Sequence, residues 1–342
     1  MVEQSRSALI TGICGQDGAY LAQHLLANGY EVIGTHRSGE PDIWRLEKLA
    51  IAAHPKLTLK QLCLSDTTGL NSFITQQRVD EIYNLAAVST LKQAEENPLL
   101  TSQVNGLAPV AMLEAIRRSG RKIRFFQASS AEIYGRNRAQ PQTENTPLAP
   151  DNVYAVAKAY AHQMVEYYRR HHQIFACNGI LYNHESPLRG SEFVTRKISD
   201  SMLGIANGSL SCLEIGNLAA QRDWGYAKDY VQAMHKMLSV DQPDSYILST
   251  GKLTTIREFV ELAATGVGIR LAWEGAGMDE VGINQANGKK IVVINPKYYR
   301  NEDHTTATGN PSKVKAQLAW AATTSVAELC RFMLGSTTSQ TH

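Results

Sequence analysis

A tyrosine and a lysine stand four positions apart near the middle of the chain, as Tyr154 and Lys158. In a helix, residues at this spacing lie on one face, so the phenol and the ammonium would be neighbours. A nearby ammonium favours the phenolate, because the positive charge stabilises the anion. The pair therefore predicts a base that works near neutral pH.

A hydroxyl and a carboxylate follow an apolar run slightly earlier in the chain, as Ser130 and Glu132. Residues two apart in an extended backbone point to the same side, so we expect both side chains to face one site. Ligands of open α/β sheets bind beyond the carboxyl ends of the strands, which is where this pair would lie. Ser130 and Glu132, with Tyr154 and Lys158, are the predicted catalytic residues.

Three glycines, Gly12, Gly15 and Gly18, lie between the first predicted strand and the first predicted helix. Glycine lets backbone N–H groups approach a pyrophosphate, and the helix that follows turns its positive end toward that anion. This context, directly after a strand and opening a helix, predicts a dinucleotide site that includes Gln16 and Asp17.

The end of the second predicted strand distinguishes the two nicotinamide cofactors. Enzymes that use NAD usually have an acid there, which binds the ribose hydroxyls. This chain has Arg37 and Ser38, with no acid before Glu40. A guanidinium and a hydroxyl suit a 2′-phosphate, so the sequence favours NADP over NAD.

Short β-rich runs alternate with helical patterns through the first half of the chain, which indicates a parallel sheet with helices on both faces. The fold class is therefore predicted as α/β, a Rossmann-type doubly wound sheet with a smaller C-terminal substrate-binding lobe. We place the nucleotide-binding domain at residues 1–188, with strand returns from later segments, and the smaller lobe at 189–342. Residues 275–290, rich in Gly, Asn and Gln, predict a mobile loop. The predicted strands are 8–11, 31–34, 57–62, 81–85 and 124–128, with a later strand near 177–182.

Composition excludes several classes of protein. With 43% hydrophobic residues the chain can bury a large core, and a net charge of +2 argues against a nucleic-acid-binding protein. Its five cysteines contain no Cys-x-x-Cys pair, which predicts reduced thiols and no metal site. No leader or membrane-spanning run is evident, so we expect a cytoplasmic location.

With these motifs in place, the chain resembles the extended short-chain dehydrogenases/reductases, and within them the GDP-mannose 4,6-dehydratase family. The resemblance extends over nearly the whole chain, and the stretches at 183–187, 193–197 and 222–225 are specific to that family. The matching segments are 11–17, 83–87, 127–135, 154–158, 176–189, 192–198, 222–231 and 296–300.

The resemblance implies a dehydration without net redox change. Tyr154, assisted by Lys158, would take the proton of the sugar 4-hydroxyl while hydride moves from C4 to the nicotinamide. Glu132 would then remove the C5 proton and help to expel the 6-hydroxyl as water, before hydride returns to C6. Ser130 would hydrogen-bond the 4-oxygen, at a position where the family usually has threonine.

The resemblance also implies the residues that hold the two ligands. Cationic side chains suit the diphosphate of a nucleotide sugar, and Lys197, Arg222 and Arg300 lie in family-like segments. Lys158 would also contact the nicotinamide ribose. The further cofactor residues are Leu64, Leu85, Ala87, Ser89, His184 and Arg189. The further substrate residues are Ser89, Asn183 and Val194.

Some positions depart from the family pattern. Cys63 replaces an acid expected at the adenine, and Leu100 stands where some members have a cofactor-contacting tyrosine. These changes leave the catalytic residues intact but keep the sugar open, so a GDP-heptose is an alternative to GDP-mannose. An epimerase or 4-reductase on the same fold would not need Glu132, and a catalytically inactive NADP-binding regulatory protein would need none of the four. The family implies a homodimer or homotetramer, with residues 36–41 meeting a neighbouring subunit.

Overall fold

The first buried strand sets the architecture, because its apolar residues leave it no solvent-facing side. Leu9 and Ile10 are fully buried, as expected for a strand covered on both faces. The computed structural model describes residues 5–37, 39–137, 139–299 and 307–335. The strands are β1 (Ser7–Thr11), β2 (Glu31–His36), β3 (Leu57–Gln61), β4 (Glu81–Asn84), β5 (Arg124–Ser130), β6 (Ala176–Leu181), β7 (His184–Glu185), β8 (Leu213–Ile215), β9 (Gln221–Arg222), β10 (Gly225–Tyr226), β11 (Ser245–Leu248), β12 (Thr254–Thr255), β13 (Leu271–Glu274), β14 (Val281–Asn284) and β15 (Lys290–Ile294).

The helices follow the strands in the alternation that the sequence predicts. Gly29, just beyond the first helix, has φ +84, the left-handed conformation in which glycine closes a helix end. The helices are α1 (Gln16–Ala27), α2 (Trp44–Lys48), α3 (Thr67–Gln76), α4 (Leu91–Glu96), α5 (Pro98–Thr101), α6 (Ala108–Ser119), α7 (Val153–His172), α8 (Val194–Ala206), α9 (Ala227–Ser239), α10 (Ile256–Gly266), α11 (Ser312–Leu318) and α12 (Val326–Met333). A π-helical segment, Ser102–Leu107, joins α5 to α6.

Within the described residues, seven strands form one parallel sheet in the order β3-β2-β1-β4-β5-β6-β11. The order reverses between β1 and β4, which is the point where open α/β sheets bind nucleotides. Leu9 of β1 lies between Ile33 of β2 and Ile82 of β4, so the centre of the sheet is apolar. The predicted Rossmann-type fold is confirmed, and every strand presents its carboxyl end at the same edge.

The chain divides into two compact units, neither of which is continuous in sequence. The first comprises the described residues up to Tyr182, with Ala227–Leu248 and Gly309–Ala321, and contains the parallel sheet. The second comprises Asn183–Tyr226 with residues 249–299, 307–308 and 322–335. The predicted boundary between residues 188 and 189 stays a prediction, because compact units of one folded chain do not establish independent domains.

The second unit has a core of its own. Its sheet has the order β13-β14-β15-β8, with only the β15–β8 pair parallel. Phe259 and Val260 of α10, fully buried, pack in a cluster with Leu329 of α12 and Ile198 of α8. None of the helices in the described part of the chain combines the length and apolar character needed to cross a membrane.

The predicted mobile loop at residues 275–290 is wrong in its central part. Val281–Asn284 forms strand β14, which pairs antiparallel with β13 and β15. Turns with positive φ lie on both sides of that strand, at Gly275 and Gly277 before it and at Gly288 after it, as the Gly and Asn content predicts. The alternation of Val281 and Ile283 is too short to stand out in the sequence, and pairing on both sides stabilises it.

Candidate active site

Helix α7 brings Tyr154 and Lys158 together as their spacing predicts. The helix begins after Asn152, whose side chain accepts a hydrogen bond from the Ala155 N–H at 2.8 Å. The Lys158 ammonium lies 5.8 Å from the centre of the Tyr154 ring. It also donates to the carbonyl of Ala128 in β5 at 2.8 Å, which fixes it beneath the carboxyl end of that strand.

Burial changes the acidity of Lys158. Its side chain is 3% exposed, and loss of hydration lowers its pKa to about 8. The carboxylate of Asp17, in the first turn of α1, acts in the opposite direction and raises that pKa. The ammonium is therefore charged at neutral pH but poorly solvated, so its field acts on the neighbouring phenol with little screening.

Ser130 and Glu132 meet, but not by the geometry that the sequence analysis assumed. Ser130 is extended, whereas Glu132 lies in a short 3₁₀ helix, Ala131–Tyr134, so the expected alternation of an extended backbone is wrong here. The Ser130 hydroxyl instead accepts a hydrogen bond from the Glu132 N–H at 3.2 Å, capping that turn. The chain must turn sharply at the sheet edge, and a serine cap satisfies the N–H that the turn leaves free.

Asn152 connects the two halves of the predicted catalytic group. Its amide nitrogen lies 3.4 Å from a carboxylate oxygen of Glu132, while its oxygen caps α7 two residues before Tyr154. The role of this residue was not predicted from the sequence. An asparagine directly before a predicted helix is a capping signal, but the contact with Glu132 depends on folding.

The glycine loop leaves no room for side chains. A Cβ on Gly12 would lie 2.8 Å from the Ala86 Cα, and one on Gly18 would lie 2.4 Å from the Gly12 carbonyl oxygen. Gly15, which opens α1, has no side chain to cap the helix. The first-turn N–H groups of α1 follow directly on this glycine turn, as pyrophosphate binding requires, so these residues fit a dinucleotide.

A buried chain of polar side chains holds the neighbouring strand ends, and the sequence analysis did not identify it. Thr11 donates to Asn84 at 2.7 Å and accepts from the N–H groups of Leu85 and Ala86, both at 3.1 Å. Asn84 donates in turn to Gln127 of β5 at 2.8 Å. The ends of β1, β4 and β5 are therefore held in fixed register beside the glycine loop.

The remaining predicted cofactor residues of the first unit lie on three strand ends. Arg37 follows β2 and is exposed, while its neighbour Ser38 lies outside the described residues. Leu64, beyond β3, is buried. Leu85 and Ala87, after β4, are partly exposed, and Ser89 is exposed.

In the second unit, His184 and Arg189 differ in their surroundings. His184 is buried in β7, where it pairs with Gly225 of β10. Arg189 lies 2.9 Å from the buried carboxylate of Glu185 and stacks on the ring of Phe193 at 3.4 Å. Its guanidinium is thus held in a structural ion pair, and its predicted cofactor contact stays a prediction.

The second unit also contains four of the predicted substrate residues, whereas Ser89 lies in the first. Val194 and Lys197 lie in the first turn of α8, and the Lys197 ammonium sits 3.6 Å from the centre of the Tyr298 ring. Arg222 donates to the Gln221 carbonyl at 2.7 Å. Asn183 is exposed, and Arg300 lies outside the described residues.

Comparison with known proteins gives a consistent result. A family model described as GDP-mannose 4,6 dehydratase matches residues 9–333. The chain is 43% identical over 341 residues to GDP-mannose 4,6 dehydratase 2 of Caenorhabditis elegans, covering 97% of this chain and 89% of the relative. It is 42% identical over 336 residues to the human GDP-mannose 4,6 dehydratase, covering 96% and 90%.

Solved structures of lower identity share the fold. One is dTDP-glucose 4,6-dehydratase of Bacillus anthracis in complex with NAD, at a TM-score of 0.78 and 20% identity, covering 97% of this chain and 96% of that one. Another is RMD of Pseudomonas aeruginosa in complex with NADPH, at 0.74 and 20%, covering 97% and 98%. At these identities the likeness establishes the fold alone.

Proposed function

The chain belongs to the GDP-mannose 4,6 dehydratase family, and from that premise we propose that it converts GDP-mannose to GDP-4-keto-6-deoxymannose. The observation that carries the proposal is the contact of Glu132 with Asn152, the capping residue of the helix that carries Tyr154 and the buried Lys158. Glu132 hydrogen-bonds to Asn152 at the start of α7, the helix that carries Tyr154 and Lys158. An elimination needs an acid–base group in addition to the base that serves oxidation at C4.

The four catalytic side chains have proposed roles in transferring protons or in holding the groups that transfer them. Tyr154, as the phenolate that the Lys158 ammonium stabilises, accepts the proton of the 4-hydroxyl. Ser130 hydrogen-bonds the 4-oxygen. Glu132 takes the C5 proton, which the 4-ketone has acidified, and delivers a proton to the departing 6-hydroxyl, so that water leaves. When bound, a nicotinamide supplies the hydride exchange that the oxidation and the final reduction require.

The proposed cofactor is NADP. Relatives in fold were determined with either NADPH or NAD, so the choice depends on this chain's own residues. Arg37 is exposed at the end of β2, where a 2′-phosphate would lie, and the glycine loop fits the pyrophosphate. The proposed contacts include Gln16, Asp17, Leu64, Leu85, Ala87, Ser89, His184 and Arg189, and those of the nucleotide sugar include Asn183, Val194, Lys197, Arg222 and Arg300.

The proposed function is tested by incubating the pure protein and NADP⁺ with GDP-mannose, UDP-glucose or a GDP-heptose. NMR detection of a 4-keto-6-deoxy product from GDP-mannose is expected. A product from the heptose alone would assign the longer sugar, and an epimerised or reduced product would assign the alternative chemistry. Binding of NADP without turnover of any sugar would support a regulatory protein.

Glu132→Gln separates elimination from C4 oxidation. We expect water loss to fall by about 10³-fold, because the side chain can no longer exchange the proton. Transfer of the C4 hydrogen to the nicotinamide should continue. Glu95→Gln is the matched control, because Glu95 belongs to α4 but its carboxylate lies at the start of α7. Normal water loss in Glu132→Gln would overturn the dehydratase assignment.

We also propose that the protein is a homodimer through an apolar face of the first unit. Leu99 is 81% exposed and Val156 54% exposed, which is unusual for residues of this size. Val156, Tyr160 and Tyr167 recur along one stripe of α7, and Gly106 of the π-helical segment lies against the Tyr160 ring. A second copy of the chain is the proposed occupant.

The cytoplasmic location stays a prediction.

Light scattering tests the dimer. The double variant Val156→Glu, Tyr160→Glu places charges in the proposed contact and should give a monomer with an unchanged far-UV spectrum. Lys92→Glu, on an exposed part of α4, is the control and should leave the mass unchanged. A wild-type protein that is monomeric at micromolar concentration would refute the proposal.

A further inference from the structure

The amide of Asn152 makes two contacts that serve different elements. Its oxygen accepts from the Ala155 N–H at 2.8 Å, which starts helix α7. Its nitrogen lies 3.4 Å from Glu132 and 3.3 Å from Asp151, so it donates toward two carboxylates. An asparagine can do both because it carries an acceptor and a donor, whereas other good capping residues lack the donor or are too short.

Two further carboxylates lie at the start of α7, close to Asn152. Asp151 lies beside Asn152 and is 3.8 Å from Arg136, an exposed partner that gives little compensation. Glu95 of α4 accepts a hydrogen bond from the Val153 N–H at 3.3 Å. Within α7, the first N–H groups carry partial positive charge, and Lys158 is the first cationic side chain along the helix.

We propose that Asn152 is a positioning residue that fixes the Glu132 carboxylate and keeps it ionised, ready to accept a proton. The inference rests on the proposed function, because it assigns Asn152 to the same elimination. A neutral donor stabilises the carboxylate without adding to the crowd of acidic groups. The contact also fixes Glu132 relative to Tyr154, since the same side chain caps the helix that carries the tyrosine.

Two substitutions separate capping from positioning. Asn152→Ser keeps a capping oxygen but loses the amide N–H donor. Asn152→Asp keeps the cap while adding a negative charge beside Glu132. For Asn152→Ser we expect kcat to fall about fivefold with KM within twofold, since positioning affects the proton transfer. For Asn152→Asp we expect the acid limb of the kcat–pH profile to move up by about one pH unit, because a like charge favours the protonated form.

A direct titration gives a readout that does not depend on turnover. In protein labelled with ¹³C at glutamate carboxyls, the Glu132 signal is assigned by its loss in Glu132→Gln. Its midpoint should rise by about one pH unit in Asn152→Asp and by less in Asn152→Ser. Glu95→Gln, a charge change nearby that leaves the amide contact intact, should move the midpoint by less than about 0.3 in the opposite direction.

The outcomes are distinguishable from failure of the proposed function. If no nucleotide sugar is dehydrated but the midpoint shifts as expected, the dehydratase assignment fails and the contact stands. If the wild-type enzyme dehydrates GDP-mannose while Asn152→Ser and Asn152→Asp keep its kcat, pH profile and Glu132 midpoint, Asn152 is only a helix cap and the inference is overturned. Thermal unfolding within about 2 °C of wild type shows that the cap has been retained.

Discussion

The two edges of the parallel sheet bury ionisable side chains in opposite ways. At the carboxyl edge, Lys158 donates to the neutral carbonyl of Ala128, and its pKa is lowered to about 8. At the amino edge, Glu81 begins β4 and accepts hydrogen bonds from Tyr83 at 2.7 Å and Tyr30 at 3.1 Å. The Lys158 ammonium therefore has one neutral carbonyl as its hydrogen-bond partner, whereas the Glu81 carboxylate accepts from two hydroxyls.

The amino-edge network continues through two histidines. Tyr30 lies 3.0 Å from Nε2 of His235, and Nδ1 of His235 lies 3.0 Å from Nε2 of His24. Since Tyr30 donates to Glu81, it accepts from His235, which in turn accepts from His24. The chain of donors therefore requires His235 to be neutral, since its Nδ1 must accept while its Nε2 donates. Burial is the main reason that the pKa of His235 is lowered to about 4, and burial also lowers the pKa of His24.

The difference shows which edge is suited to chemistry. A network whose hydrogen bonds are mutually consistent stabilises one protonation state and changes little when a ligand binds. A poorly solvated ammonium beside a phenol stabilises negative charge on the phenol oxygen more strongly than a hydrated ammonium would. Substitutions at the carboxyl edge should therefore alter activity most, and those at the amino edge should alter stability.

The largest expected effect is that of Lys158→Met, which should lower activity while raising the unfolding free energy. Activity should fall by about 10³-fold, because Tyr154 loses its charged neighbour. At pH 7 the variant should be roughly 2 kcal/mol more stable to urea, because the folded state no longer buries an ammonium. A variant less stable than wild type at pH 7 would contradict this account.

The pH dependence of that stability gain checks its cause. The folded pKa of Lys158, about 8, lies below the unfolded value, so between these values only the unfolded wild-type chain holds the proton. Wild-type stability therefore rises with pH from about 8 to about 10.5. The advantage of Lys158→Met should shrink over the same interval and vanish above it.

Glu81→Gln should have the reverse effect at the amino edge. An amide nitrogen cannot accept from a tyrosine hydroxyl, so one buried donor loses its partner, at a cost of about 2 kcal/mol. Urea unfolding measures the loss, and kcat should stay within twofold of wild type. Glu31→Gln, at an exposed residue that begins β2, should leave the unfolding free energy and kcat unchanged. A large loss of kcat would mean that the two edges are coupled.

Acid should destabilise the protein partly through His235. Its folded pKa, about 4, lies below the unfolded value, so its contribution is complete above about pH 6.5 and is lost as pH falls toward 4. Because the ring is partly exposed, the loss is about 1 kcal/mol. His235→Gln should reduce the slope of unfolding free energy against pH in this range. His171→Gln, at an exposed histidine, should not, and equal slopes in all three proteins would refute the assignment.

The smallest expected effect is that of Asp17→Asn at the carboxyl edge. Asp17 raises the pKa of Lys158, so its removal should lower that pKa by a few tenths of a unit from about 8. The alkaline limb of the kcat/KM profile, where Lys158 loses its charge, should move down by the same amount. A limb that does not move would mean that another group sets it.

The local features of the site could be predicted because short stretches of sequence decide them. Gly12 and Gly18 lie where only a hydrogen fits, and the four-residue spacing of Tyr154 and Lys158 places both on one helix face. The alternation of strands and helices gave the parallel sheet, since right-handed crossovers leave few other arrangements. The cap at Ser130 was missed, because a hydroxyl can face a ligand or close a turn, and the sequence is the same in both cases.

The sequence by itself therefore determined the fold class, the glycine loop and the phenol–amine pair, all of which depend on neighbours in the chain. The tertiary structure alone decided which polar residues meet across strands: Asn152 with Glu132, Thr11 with Asn84, and His24 with His235. It also decided how Lys158 titrates, because its pKa depends on burial among residues distant in sequence. The physical reason is that desolvation and hydrogen bonding are set by whatever folding brings within a few ångströms.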